Sequence, residues 1–223
     1  MTAVLDIEHA RFNMVEQQIR TWEVLDQEIL DLLYVVRREK FVPAAYRALA
    51  FSDLEIPLGA APGERMWAPR MEARVLQELD IKKSDFVLEV GTGSGYFAAL
   101  LAHLAGRVVS VDISPGMADF GKSNLDSEGA SNTTVLVGDA SRGWPQQAPY
   151  DVIVLTGSVP ILPDAFLDQL KPGGRMFAIV GDEPVMSARL IAKASSGVVQ
   201  QTELFETCMA PLVNALQPPR FRF

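Results

Sequence analysis

Five short apolar runs do most to limit what this chain can fold into: Phe86–Val90, Val108–Val111, Thr134–Val137, Val152–Leu155 and Met176–Val180, with amphipathic stretches between them. Continuous apolar runs of this length suit strands buried on both faces of a parallel sheet. The intervening segments are long enough for crossover helices, so the pattern reads as repeated βαβ units. After Gly181 it changes to two longer runs, Met186–Ala194 and Val198–Glu206, split by Ser195-Ser196-Gly197. That change predicts an antiparallel hairpin closing one sheet edge. The expected fold is α/β: a doubly wound, mostly parallel sheet with an antiparallel C-terminal hairpin and an N-terminal helical annex.

The annex is read from helical spacing. Phe12, Val15, Ile19 and Trp22 form one apolar stripe. Asp26 is placed to cap a second helix whose buried face is Ile29, Leu32, Leu33 and Val36. Pro43 suits the first turn of a third, short helix through Ala50. The stretch Glu55 to Arg70 holds Pro57, Gly59, Pro62, Gly63 and Pro69 and reads as a loop too broken for a regular element. Long loops of this kind carry function more often than short ones. Met71, Val75 and Leu79 then stripe another helix. With no repeat and no linker, residues 1–223 are expected to form a single domain. Its parts are an annex and loop over 1–80, a core over 81–181, and a hairpin and tail over 182–223.

The sharpest local signal is Leu88-Glu89-Val90-Gly91-Thr92-Gly93-Ser94-Gly95-Tyr96, a buried strand entering a glycine turn that opens a helix. Glycines let the backbone turn tightly and let a ligand approach it without a Cβ in the way. The third glycine comes one residue too early for the dinucleotide fingerprint, and Tyr96 takes its slot, so a pyrophosphate is not the indicated guest. Glu89, Asp112 and Asp139 fall at the ends of successive strands, on the carboxyl edge where open parallel sheets bind ligands. Asp112 is placed to accept from two ribose hydroxyls and Asp139 from an adenine amino group. Glu89 offers negative charge to a cationic part of the ligand. A nucleoside with a positively charged, amino-acid-like tail meets all three, which describes S-adenosylmethionine.

Composition narrows the rest. The 223 residues carry 28 acidic and 20 basic side chains, a net charge of −8, which disfavours nucleic acid as a partner. No apolar run reaches the roughly 18 residues a membrane span needs, and the start MTAVLDIEHARF has no apolar leader stretch. With one cysteine, Cys208, read as a small buried apolar residue, no disulfide framework or cysteine-rich zinc site is expected. These readings place the protein in the cytoplasm, away from membranes, and leave its oligomeric state open. His9 and His103 are the only histidines and read as ordinary surface or core residues. No metal-ligand cluster is expected. In the tail, Pro218–Phe223 reads as an extended strand end, with a docking tail as the alternative.

Further segments sharpen the picture. Tyr150–Leu155 looks like the fourth strand of the class I methyltransferases, and Leu170-Lys171-Pro172-Gly173-Gly174-Arg175 like the turn before their fifth. Met14–Arg20, Val36–Pro43, Ala48–Asp53, Gly91–Tyr96, Val137–Asp139, Gly143–Pro145 and Asp168–Arg175 together resemble the protein-L-isoaspartate O-methyltransferases, over about Met14 to Val180. The resemblance implies a Rossmann-like core and S-adenosylmethionine as cofactor, with S-adenosylhomocysteine as product. It implies cofactor binding by Glu89, Gly91, Gly93, Gly95, Asp112 and Asp139, with Thr92, Ser94, Ile113 and Ala140 beside them. It also implies a protein or peptide substrate, held in a cleft between the annex and the loop Thr156–Pro163. Where the family carries Thr-Ile-Ser before a proline, this chain has Arg65-Met66-Trp67. Arg65 and Trp67 are therefore the acceptor-loop candidates: Arg65 to grip an anion through its fork, Trp67 to fill the pocket or stack on a planar acceptor. Two alternatives to isoaspartyl repair follow from that departure, a small planar or anionic acceptor and a cofactor-binding module without catalysis.

Overall fold

The computed structural model describes residues 6–219. Helix α1 (Ile7–Asn13) starts at Asp6, whose carboxylate accepts from the His9 N–H. It runs into a π-helical segment, Met14–Ile19, and a 3-10 turn, Arg20–Trp22. The widened i→i+5 turn changes the phase of the stripe. Phe12 is therefore 49% exposed, while Arg11, Met14, Val15 and Ile19 turn inward. The simple stripe of Phe12, Val15, Ile19 and Trp22 is thus corrected. Helix α2 (Gln27–Val35) is capped by Asp26 as expected, its carboxylate accepting from the Glu28 N–H at 2.9 Å. A 3-10 segment, Ala44–Leu49, follows Pro43.

The Glu55–Arg70 stretch is not wholly irregular. Two-residue strands β1 (Ile56–Pro57) and β2 (Arg65–Met66) pair antiparallel, and helix α3 (Pro69–Leu79) already begins at Pro69. Pairing Ile56 with Met66 and Pro57 with Arg65 is a tertiary event that the prolines and glycines obscure in sequence.

The core sheet has strands β3 (Phe86–Val90), β4 (Arg107–Asp112), β5 (Thr133–Val137), β6 (Tyr150–Val159), β7 (Leu170–Asp182), β8 (Val185–Lys193) and β9 (Val199–Glu206). Their spatial order is β5-β4-β3-β6-β7-β8-β9. The first five are parallel, and β8 and β9 close the edge antiparallel. Helices α4 (Tyr96–Leu104), α5 (Pro115–Ser127) and α6 (Asp164–Gln169) supply the crossovers. Side chains alternate across the sheet: Val87, Val152 and Val154 join the core shared with α3, α4 and the annex, and Leu88, Val90, Ile153 and Leu155 join the one containing Phe166 of α6. Two strand expectations need correction. β5 lies at the edge and is only half covered, so it is not buried on both faces. β6 continues through Thr156–Val159, read above as loop, with a register shift between Val154 and Ser158.

Cys208 is exposed rather than buried, because the chain leaves β9 at Glu206 and passes over the surface before docking on β6. Pro218 and Pro219 are in no strand, and the rest of that tail lies outside the described residues. No helix among the described residues is long and apolar enough to cross a membrane.

Candidate functional site

Strand order reverses between β3, which pairs with β4 on one side and β6 on the other. At that switch point, beyond the carboxyl ends of the strands, lies a cavity of about 450 Å³. The glycine turn forms its floor. Gly91 has φ +102° and a Cβ there would sit 2.1 Å from the Thr156 Oγ1. That hydroxyl reaches the carbonyls of Val90 and Gly91 at 2.8 and 2.9 Å, tying β6 to the turn. Gly95 (φ +79°) is the N-cap of α4, and a Cβ would lie 2.7 Å from the Gly121 carbonyl, where α5 crosses. Thr92 and Ser94 are buried within the turn.

Of the three strand-end acids, Glu89 is the most constrained. Its side chain is 0% exposed, because it shares with Val87 the face packed against α4. Oε2 accepts from the Ser110 hydroxyl, which is in turn 2.6 Å from Thr92 Oγ1. Oε1 lies buried with no hydrogen-bond partner among the described residues, although Glu89 lines the cavity. Burial pushes this carboxyl up to about 8, with the Ser110 hydroxyl opposing and nearby Asp112 and Glu72 adding to the rise. A buried carboxylate with an idle oxygen is costly unless a donor reaches it.

Asp112 ends β4. Its Oδ2 accepts from the Gly93 N–H at 3.0 Å and its Oδ1 from the Ser114 N–H at 2.9 Å, which fixes the carboxylate beside the turn. Asp139, just past β5, is exposed. It accepts from the Ser141 N–H and from Asn214 Nδ2, both at 2.9 Å. Its burial would raise the carboxyl, but the Ser141 and Asn214 donors and the charge of Arg142 together hold it below its ordinary value. Ile113 and Ala140 flank these two acids on the same wall.

The opposite wall comes from the annex. Strand alternation sends Met66 into the core and turns Arg65 and Trp67 toward the cavity. Trp67 is 5% exposed, with its ring 5.3 Å from that of Phe97 and 6.1 Å from that of Phe177. Its Nε1–H points at the Thr156 carbonyl, 2.9 Å away, with Met209 Sδ at 3.0 Å. The indole is thus packed into the wall beside Phe97 and Phe177. Arg65 is exposed at the mouth, with its Nε donating to the Pro62 carbonyl at 3.1 Å. A second cavity of about 380 Å³ adjoins the first, sharing Glu55, Pro62, Arg65 and Met209–Pro211 and bounded by Ser158 and Pro160. His9 and His103 are exposed and line neither cavity.

Several contributors escaped the sequence reading. Arg38 and Glu72 form a fully buried ion pair, and Arg38 also donates to the carbonyls of Ala50 and Trp67. Burial pushes the Glu72 carboxyl up against the opposing pull of Arg38. Arg38 lies in the Val36–Pro43 segment, where an arginine before a buried Phe41 was the available clue. The segment Met209–Asn214 carries no periodic signal. Its residues Met209–Val213 reach the cavity because the Ser158 N–H donates to the Ala210 carbonyl and the Leu212 N–H to the Ser158 carbonyl, along the end of β6.

The chain is similar to known proteins over most of its length. The family model for protein-L-isoaspartate(D-aspartate) O-methyltransferase (PCMT) matches residues 9–217. The protein-L-isoaspartate O-methyltransferase of Methanoculleus marisnigri is 39% identical over 204 residues, covering 92% of this chain and 91% of its own. That of Hyperthermus butylicus is 36% identical over 216 residues, covering 92% and 89%. A solved protein-L-isoaspartate O-methyltransferase superposes with TM-score 0.76 at 25% identity, over 92% of this chain and 65% of that one. A Plasmodium falciparum protein assigned to the same class, in complex with S-adenosyl-L-homocysteine, gives TM-score 0.76 at 18% identity over 90% and 96%, and so speaks to the fold. The chain belongs to the protein-L-isoaspartate(D-aspartate) O-methyltransferase family.

Proposed function

We propose that this protein is an S-adenosylmethionine-dependent O-methyltransferase that methylates the carboxylate of isoaspartyl residues in damaged protein. The observation that carries the reading is Glu89, wholly buried on the cavity wall with Oε1 unpartnered. Together with glycines that leave the backbone bare, it fits a cofactor whose amino-acid end is cationic. We assign that end to Glu89, the ribose hydroxyls to Asp112 and the base to the Asp139–Ala140 wall, with the glycine turn beneath.

When bound, S-adenosylmethionine supplies an electrophilic methyl on a sulfonium. The protein's own task is placement and exclusion of water, which account for much of the barrier in such reactions. The buried Trp67 and Phe97 and the half-buried Thr156 close the cavity between the sheet and the annex. Arg38 fixes the Trp67 backbone from behind through its carbonyl. A carboxylate acceptor is already ionised near neutrality and needs no general base, and the exposed histidines are not required for one.

The test is transfer of radiolabelled methyl from S-adenosylmethionine to a synthetic isoaspartyl peptide, with the aspartyl isomer as control. Base-labile label on the isoaspartyl peptide alone is expected. S-adenosylhomocysteine binding without transfer to any isoaspartyl peptide would overturn the acceptor assignment.

A further inference from the structure

The walls of the two cavities carry a lopsided charge. Six carboxyl side chains line the first cavity, Glu55, Glu64, Glu72, Glu89, Asp112 and Asp139, of which Glu72 is paired with Arg38, and the second adds Glu183. Among the described residues, Arg65 is the only cationic side chain on either wall, and it stands where the two meet. A cation suits such a chamber. A carboxylate does not, since like charges at short range in a partly desolvated site repel. The cofactor and the acceptor proposed above therefore place opposite demands on one acid-lined space, and Arg65 is the side chain that can reconcile them.

Its geometry suits that role. Arg65 lies in β2, whose register against β1 pairs it with Pro57. Its Nε is anchored to the Pro62 carbonyl, and its guanidinium forms no ion pair with a described residue. The nearby carboxyl is Glu55, which burial raises above its ordinary value, with the charge of Arg65 opposing that rise. A guanidinium held at one nitrogen keeps a planar pair of terminal donors for a carboxylate.

We propose that Arg65 is the acceptor-carboxylate anchor, a specificity-determining residue that receives an anionic acceptor at the junction of the two cavities. This rests on the acceptor reading above, and the experiment separates the two. The probes are a synthetic isoaspartyl peptide and its isoasparaginyl counterpart, in which the carboxylate is an amide. Binding of each to the protein saturated with S-adenosylhomocysteine is measured for wild type, Arg65→Gln and Arg65→Lys. Kd for S-adenosylhomocysteine and thermal midpoint serve as folding controls.

The carboxylate peptide is expected to lose about tenfold or more in affinity on Arg65→Gln, with partial retention in Arg65→Lys. The amide peptide should bind wild type and Arg65→Gln within about twofold. Raising salt should weaken carboxylate binding to wild type more than to Arg65→Gln. Equal losses for the two peptides, no loss for either, or a wild type that binds no carboxylate peptide would each overturn the proposal. A wild type that prefers the carboxylate peptide through Arg65 but transfers no methyl would sustain it while refuting isoaspartyl methylation.

Discussion

Replacing Glu89 by glutamine is expected to strengthen the empty protein and weaken its hold on the cofactor, with both effects governed by pH. The carboxyl is fully buried, and its pKa rises from an ordinary 4.5 to about 8. Between those values the folded chain holds a proton that the unfolded chain has released. Unfolding is therefore favoured as pH rises, by up to about 1.4 kcal/mol per pH unit. The stabilising contribution of the protonated form is complete below pH about 4.5 and is lost on approaching 8. Glutamine keeps the shape and still accepts from the Ser110 hydroxyl, but has no charge to bury. Cofactor-free Glu89→Gln should match wild type near pH 5 and exceed it by a few kcal/mol near pH 8.

Binding runs the other way. To receive a cationic group, Glu89 must give up its proton, so wild-type affinity for S-adenosylhomocysteine should climb as pH rises from about 6 to 7.5. In that window the ligand's own α-amino group stays largely protonated. The limit is about tenfold per unit. Glu89→Gln should show a flat profile and, near pH 7.5, a Kd weaker by about ten- to a hundredfold, the worth of one charge-assisted hydrogen bond. Calorimetric titrations in two buffers of different ionisation enthalpy should reveal proton release in wild type only. Parallel pH profiles for the two proteins, or undiminished affinity in the variant, would refute the placement of a cation at Oε1.

Asp112→Ala should weaken S-adenosylhomocysteine binding by about 1–3 kcal/mol, measured by the same titration, since the carboxylate beside the Gly93 N–H is lost. Arg38→Met leaves Glu72 buried without its partner and should cost about 3–5 kcal/mol in denaturant unfolding. Adding Glu72→Leu should recover most of that loss, and a double variant no better than the single one would count against the pair. Trp67→Ala should cost about 3–5 kcal/mol, because the indole packs between Phe97 and Phe177. It should also enlarge the acceptor end of the cavity, which widened tolerance for bulkier isoaspartyl peptides would reveal.

The sequence was most legible where an element's own residues decide its form. Strand β3 is bounded as its apolar run indicates, and the glycine turn announced itself because few other residues tolerate the φ values of Gly91 and Gly95. The Asp26 cap and the β8–β9 hairpin were readable for the same local reason. Errors collected where remote segments decide. The π-helical turn at Met14–Ile19 follows packing against α3 rather than propensity. The β1–β2 pairing and the extension of β6 through Val159 depend on what lies alongside. Exposure of Cys208 follows from the path of a segment whose composition says nothing about direction.

The primary sequence alone determined that a glycine turn would open a helix after a buried strand and that three acids would sit at neighbouring strand ends, because spacing along one chain sets both. Only the tertiary structure decided that Glu89 keeps an oxygen without a donor. It alone decided that Met209–Val213 completes the wall and that Arg65 is the cation where two acid-lined cavities meet. Those facts depend on atoms up to 142 residues apart, as between Trp67 and Met209, and such encounters arise from packing that no local pattern encodes.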